Sequence, residues 1–283
     1  MASQPRMRKR ARAEYDDLER SVRDAKRGGL QLPTSDILDF HVPDLQKFNL
    51  DTLLEDSTIL VIGKRREGKT FLVDEILYRH KRHFPCAVVF TRTAFNGHYQ
   101  KRVPKAYIHN GYKPAVLTKI LARQRRVIEQ EQIDPRLAII FDDTASEPNL
   151  RYDPHGALES VGFEGRHMKL FCVITSQRLK RVVSGFRECA DFVFIFWMDN
   201  ADSWQTAWSE WCADIPKEVF YALFKQYTQG YCCLVINRST KSKRFEDKYF
   251  FYEAEEVPDY ILGSEAYWEM AQATPFTKKR RRN

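Results

Sequence analysis

No stretch of this 283-residue sequence reaches the ~18 consecutive apolar residues that a membrane-spanning helix needs. The longest, Phe192 to Met198, has the length of a strand. The basic N-terminus is followed by no apolar segment, so a secretory signal is not expected. Cysteine is sparse and unpaired in pattern: Cys86, Cys172, Cys189, Cys212, Cys232 and Cys233 contain no CxxC spacing, and several lie in apolar runs. That pattern argues against a zinc finger or a disulfide framework, and for reduced thiols in an intracellular protein. Internal repeats and glycine- or proline-rich linkers are absent as well, which favours one domain with tails.

Apolar residues make up 43% of the chain, enough to fill a core and to exclude a wholly disordered protein. The formal net charge is +8, but its placement matters more than its sum. Arg6, Arg8, Lys9, Arg10 and Arg12 precede any acid, and Lys278, Lys279, Arg280, Arg281 and Arg282 close the chain without one. Setting those ten aside leaves 36 Lys and Arg against 38 Asp and Glu, a net charge of −2 for residues 13–277. Blocks of like charge repel themselves, so the two ends read as nucleic-acid arms or nuclear-import signals, or else as plain solubilising tails. The expected division is a basic, flexible tail over residues 1–30, a domain over 31–262, and a C-terminal helix with a basic tail over 263–283.

Five runs have strand character: Thr58–Ile62, Cys86–Phe90, Leu137–Phe141, Leu170–Thr175 and Phe192–Trp197. Each is almost wholly apolar instead of alternating, as strands of a parallel sheet covered on both faces are. Helical spacing lies between them. Leu72, Val73, Ile76 and Leu77 share a face within Lys69–Lys81, and Val116, Leu117, Ile120, Leu121 and Ile128 recur after Pro114, a favoured first helical residue. Two further helices are expected over Ala201–Trp211 and Pro216–Tyr227. Tyr231–Asn237 and Lys248–Tyr252 read as an antiparallel hairpin around a polar turn, with Tyr231 among its packing aromatics. The fold class is therefore α/β, with a mostly parallel central sheet, helices on both faces and a C-terminal β-hairpin.

Gly63-Lys64-Arg65-Arg66-Glu67-Gly68-Lys69-Thr70 matches GxxxxGK[ST] between a predicted strand and a predicted helix, the context this phosphate-binding loop requires. Gly63 and Gly68 let the backbone turn its N–H groups inward onto phosphate oxygens, and the helix start adds its positive end. Lys69 would reach the β- and γ-phosphates of ATP, and the Thr70 hydroxyl would ligate Mg²⁺. Hydrolysis also needs a carboxylate for the metal and a base for water. Asp142 and Asp143 supply both at the C-terminal end of an apolar strand, where α/β sheets place ligands. Asp142 is the second Mg²⁺ residue of this reading. The fourth strand ends in Thr175-Ser176-Gln177. If it lies between the two motif strands, the Gln177 amide faces the γ-phosphate and could orient water.

These residues, with Gly165-Arg166-His167 and the segments GRHMKLFCVITSQ and FRECADFVFIFWM, resemble the FtsK–HerA superfamily of P-loop motor ATPases. Within it, they are most similar to the genome-packaging ATPases of large double-stranded DNA viruses, of poxvirus type. The resemblance spans about residues 50–255. It implies a RecA-like sheet in a ring, with six subunits expected and each nucleotide at a subunit boundary. It also implies an arginine finger supplied in trans, for which Arg166 stands at the superfamily's position and Arg187 is the second candidate. One departure is Asp-Asp where many members carry Asp-Glu: Asp143 is a methylene shorter, so backbone placement must bring its carboxylate to the water. Glu147 is a possible substitute base.

The implied function is an ATP-driven translocase that moves double-stranded DNA into a preformed capsid, partnered by a capsid or portal-vertex protein and located in the virion or at the host site of assembly. Thr91–Arg102, with Arg92, Lys101 and Arg102 beside Phe95 and Tyr99, is a candidate pore loop. Three other readings compete. A cellular or conjugative DNA pump would carry a membrane anchor or a DNA-reading extension, a nucleotide kinase would carry a lid and an acceptor site, and a non-catalytic nucleic-acid-binding or capsid-associated protein would not need Lys69, Thr70, Asp142 and Asp143 intact.

Overall fold

Every residue of Thr58–Ile62 (β2) is buried, as a continuous TILVI run demands when both faces of a sheet are covered. The computed structural model describes residues 42–130, 133–144 and 156–273. Its strands are β1 (Gln46–Lys47), β2, β3 (Cys86–Thr91), β4 (Ile108–Asn110), β5 (Leu137–Asp142), β6 (Leu170–Ser176), β7 (Phe192–Ile195), β8 (Cys232–Asn237) and β9 (Tyr249–Glu253). They form one nine-stranded sheet in the order β1-β9-β8-β7-β2-β6-β5-β3-β4. From β7 to β4 every pairing is parallel. β8 and β9 extend the sheet antiparallel, and β1 joins β9 in parallel. β6 thus lies between β2 and β5, the arrangement that the role of Gln177 requires.

The helices are α1 (Lys69–Arg79), α2 (Pro114–Gln130), α3 (Ala157–Glu164), α4 (Ser184–Cys189), α5 (Ala201–Trp211), α6 (Lys217–Tyr227), α7 (Phe245–Lys248) and α8 (Glu265–Ala273). They divide between the faces. Leu60, Ile62, Ile139 and Ile174 pack with Leu117 and Leu121 of α2, Phe186 of α4 and Phe220 of α6. Ile59, Val61, Ala138 and Val173 pack with Leu72, Val73 and Ile76 of α1 and with Tyr267 of α8. Alternate residues of one strand therefore feed two cores, each fully buried Leu or Ile side chain contributing about 1.5–3 kcal/mol.

Two buried acids hold α1, and with it the phosphate loop. Asp74 accepts from Arg102 at 3.0 Å, lies 3.2 Å from His98, and its carbonyl takes the Tyr260 hydroxyl at 3.1 Å. Glu75 accepts from Arg79 at 2.8 Å, the Tyr252 hydroxyl at 2.7 Å and the Glu255 amide at 2.9 Å. Removing one partner of a buried ion pair such as Arg102–Asp74 costs about 3–5 kcal/mol. Within the candidate pore segment this turns Tyr99 and Arg102 inward. Tyr99 is 3% exposed, whereas Phe95 is 85% exposed and is the aromatic left for solvent. Trp211 is buried and Trp204 and Trp208 pack on the core, in keeping with their helical spacing.

Candidate active site

The phosphate loop is tied to the two strands that flank β2. The Gly63 amide donates to the Ser176 carbonyl and the Lys64 amide to the Trp197 carbonyl, both at 3.1 Å. Gly63 cannot be replaced cheaply, since a Cβ there would stand 2.5 Å from Phe196 Cβ. Gly68 caps α1 at φ 99°, in the left-handed region that a Cβ disfavours, and makes no side-chain cap. The first N–H groups of α1 are thereby left for an anion. Lys69 folds back over the loop, its Nζ donating to the Gly63 carbonyl at 2.7 Å and the Lys64 carbonyl at 2.6 Å. Burial pushes its pKa down, opposed by the Asp143 and Asp142 carboxylates. Thr70 is exposed at the start of α1. Among the variable positions, Lys64 pairs with Asp199 at 3.1 Å and lies 3.5 Å from Glu67, Arg66 adopts φ 67°, and Arg65 is exposed.

Asp142 and Asp143 sit at the C-terminal end of β5, opposite the end of β6. Thr175 of β6 joins them, donating to Asp142 Oδ1 at 2.8 Å and accepting the Asp143 amide at 2.9 Å. Gln177 Nε2 donates to Asp143 Oδ2 at 2.9 Å. Asp143 stands at φ 50°, a conformation that Asp tolerates better than most side chains. Burial pushes Asp142 above the usual carboxylate range, while the Thr175 hydroxyl opposes that rise by stabilising the charge. The buried Tyr99 phenol is pushed well up by burial and by the nearby Asp142 and Asp74 carboxylates.

Asp143, Ser176 and Gln177 open onto a groove of about 510 Å³. Arg65, Arg92, Arg178 and Arg181 line it too, so cationic side chains surround the place where a polyanion's terminal charges would collect. Arg178 and Arg181 were missed in the sequence; their one signal is position, directly after Gln177. A larger cavity of about 590 Å³ lies beyond the other end of α1, beside Tyr78, Pro85 and Tyr260, and contains none of the motif residues.

The arginine candidates stand apart from this cluster. Arg166 lies between α3 and β6, at the N-terminal ends of the parallel strands and so at the end opposite the phosphate loop, and forms an ion pair with Asp191. Its side chain is 60% exposed. Arg187 of α4 pairs with Glu210 and is only 15% exposed. Neither is brought to the Asp142–Asp143–Gln177 cluster of its own chain. Glu147 lies outside the described residues.

No protein-family model matches the chain. Its curated relatives are viral. An uncharacterized protein of Acanthamoeba polyphaga mimivirus is 28% identical over 221 residues, spanning 75% of this chain and 77% of the relative. An uncharacterized protein of Frog virus 3 is 25% identical over 241 residues, spanning 83% and 74%. Among solved structures, the genome packaging NTPase of Sulfolobus turreted icosahedral virus 2 in complex with sulfate has a TM-score of 0.53 at 14% identity, covering 74% of this chain and 100% of that one. The same NTPase in complex with AMPPCP has a TM-score of 0.52 at 14% identity, covering 72% and 100%. The likeness to these two solved structures shows a shared fold.

Proposed function

We propose that this chain is an ATP-hydrolysing translocase that packages double-stranded viral DNA into a preformed capsid, a poxvirus-type member of the FtsK–HerA superfamily. What carries the reading is the convergence of the GxxxxGKT loop on β2, Asp142 and Asp143 on β5 and Gln177 after β6, three strands adjacent in one sheet. The relatives' viral origin and the fold shared with a genome packaging NTPase support it.

Residues 63–70 would cradle the triphosphate, Lys69 exchanging its carbonyl partners for phosphate oxygens. The donor chemistry fits Mg²⁺: an exposed hydroxyl at Thr70 and a buried carboxylate at Asp142, whose charge burial disfavours until a cation compensates it. Bound there, Mg²⁺ neutralises charge on the β- and γ-phosphates. Asp143 accepts the proton of the attacking water, and Gln177, hydrogen-bonded to Asp143, orients it. Arg166, remote from its own site and exposed, serves the nucleotide of the next subunit in a ring, for which six copies are expected. DNA passes through that ring, gripped at its phosphates by Lys and Arg without base readout. A capsid or portal-vertex protein completes the assembly, in the virion or at the host site where it forms.

The test is ATPase rate with and without duplex DNA, for wild type and Lys69→Ala. DNA-stimulated turnover that the substitution abolishes is expected. An active wild type indifferent to DNA would count against translocation, and a rate unchanged in Asp142→Ala would revive the non-catalytic reading.

A further inference from the structure

Tyr231 does not pack into the hairpin layer. Its side chain is 61% exposed, in a turn closed by the Cys232 amide donating to the Gln229 carbonyl at 3.0 Å. Its backbone stands at φ 71°, directly after Gly230 at φ 58°. A tyrosine in the left-handed region is strained, and such strain persists where the surroundings or a function require it. The turn precedes β8, which runs antiparallel to β7 with Ile195 opposite Leu234. The N-terminal end of β8 therefore lies at the same end of the strands as the phosphate loop. There the ring meets the loop: a Cβ placed on Gly68 would be 3.5 Å from Tyr231 Cδ1 and 3.6 Å from its Cβ.

The order of strands fixes the direction of a bound nucleotide. Asp142, Asp143 and Gln177 all lie on the β6–β5 side of β2, so a γ-phosphate in reach of them faces that way. The α-phosphate, ribose and base must then leave on the opposite side, over β7 toward β8. Tyr231 is the exposed ring waiting there, and Phe71, 55% exposed in the first turn of α1, is a second exposed ring beside the loop. We propose that Tyr231 stacks on the base of the nucleotide held by residues 63–70. A ring face reads π-surface and not hydrogen-bonding edges, so the site takes purine nucleoside triphosphates in preference to pyrimidine ones and separates ATP from GTP only weakly. This rests on the reading of that loop as a nucleoside triphosphate site.

The experiment is calorimetric binding of ATPγS and of inorganic tripolyphosphate to the full chain, as wild type, Tyr231→Ala, Tyr231→Phe and Tyr231→Gly, with melting temperatures of the nucleotide-free proteins. Tyr231→Ala should weaken ATPγS roughly 5- to 150-fold, the worth of one base–aromatic stack. Tripolyphosphate should bind it as it binds wild type, and Tyr231→Phe should keep full affinity. Tyr231→Gly should weaken ATPγS equally while raising the melting temperature, because glycine relieves the strained backbone. Equal ATPγS affinity in Tyr231→Ala, or a parallel loss of tripolyphosphate, overturns the stacking role alone. A wild type that binds neither ligand overturns the nucleotide reading itself.

Discussion

The Thr175 hydroxyl donates to Asp142 at 2.8 Å, and the same oxygen accepts the Asp143 amide at 2.9 Å, so one side chain of β6 sets both acids of β5. Thr175→Val keeps the shape and removes both bonds. Partners of metal-binding carboxylates typically hold 10- to 100-fold of metal affinity. The Mg²⁺ concentration for half-maximal ATPase should rise by about that factor, with nucleotide affinity in EDTA unchanged. Leaving the Asp143 amide unsatisfied should also lower stability by about 1–3 kcal/mol. A Mg²⁺ titration that does not move would argue against Asp142 as the metal residue.

Arg166 precedes β6 and Lys69 follows β2, at opposite ends of two neighbouring parallel strands, so the proposed finger role of Arg166 requires a second subunit. Arg166→Ala should cut turnover by about 10³-fold or more, as loss of an arginine finger does. Stability should change by no more than about 1 kcal/mol, because the Arg166 side chain is 60% exposed and Asp191 keeps the Thr58 amide at 2.8 Å. Mixing Arg166→Ala with Lys69→Ala should recover part of the activity that each lacks alone, since mixed neighbours assemble intact sites. Should only Arg187→Ala complement Lys69→Ala, Arg187 is the finger; absence of recovery with either removes the in-trans mechanism.

The strands and the phosphate loop were legible because their determinants are local. TILVI needs two covered faces, and GxxxxGKT needs its glycines at fixed spacing whatever the rest of the chain does. Thr175 was not legible as the clamp of Asp142, because that role depends on parallel register between residues 33 apart, with Phe141 opposite Ile174. Tyr231 misleads for a related reason. Its composition is that of a packing aromatic, and only the left-handed turn at Gly230–Tyr231 exposes it. Tyr99 and Arg102 have the character of loop-tip residues, yet buried Asp74 draws the loop base onto α1. β1 and β4, two and three residues long, carry no periodicity to detect; pairing with β9 and β3 alone defines them.

The ten basic residues of 1–12 and 278–282, which lie outside the described residues, carry the whole excess of positive charge. Deleting residues 1–12 and 278–283 should weaken duplex DNA affinity and flatten its dependence on salt, since phosphates that the protein no longer neutralises keep their condensed counterions. Basal ATP hydrolysis should remain within about twofold, because the residues read as hydrolytic are all retained. A truncated chain that loses basal hydrolysis would show that the tails belong to the folded unit.

His109 should give the fold a pH dependence of its own. It lies on β4, its ring 5.1 Å from Phe90, beside a cavity of about 370 Å³ that Lys119 and Arg123 of α2 also line. Burial, and then the Lys113 charge, push its pKa below the ordinary 6.5. Between that lowered value and 6.5, the unfolded chain binds a proton that the folded chain does not. Stability from this group is therefore complete above about pH 6.5 and falls as pH falls through the window, by at most about 1.4 kcal/mol per pH unit. His109→Gln removes the titration. Urea denaturation at pH 7.5 and 5.5 should show wild type losing more stability than the variant between the two, with the difference concentrated below pH 6.5. Parallel losses would mean that His109 titrates alike in the folded and unfolded chains.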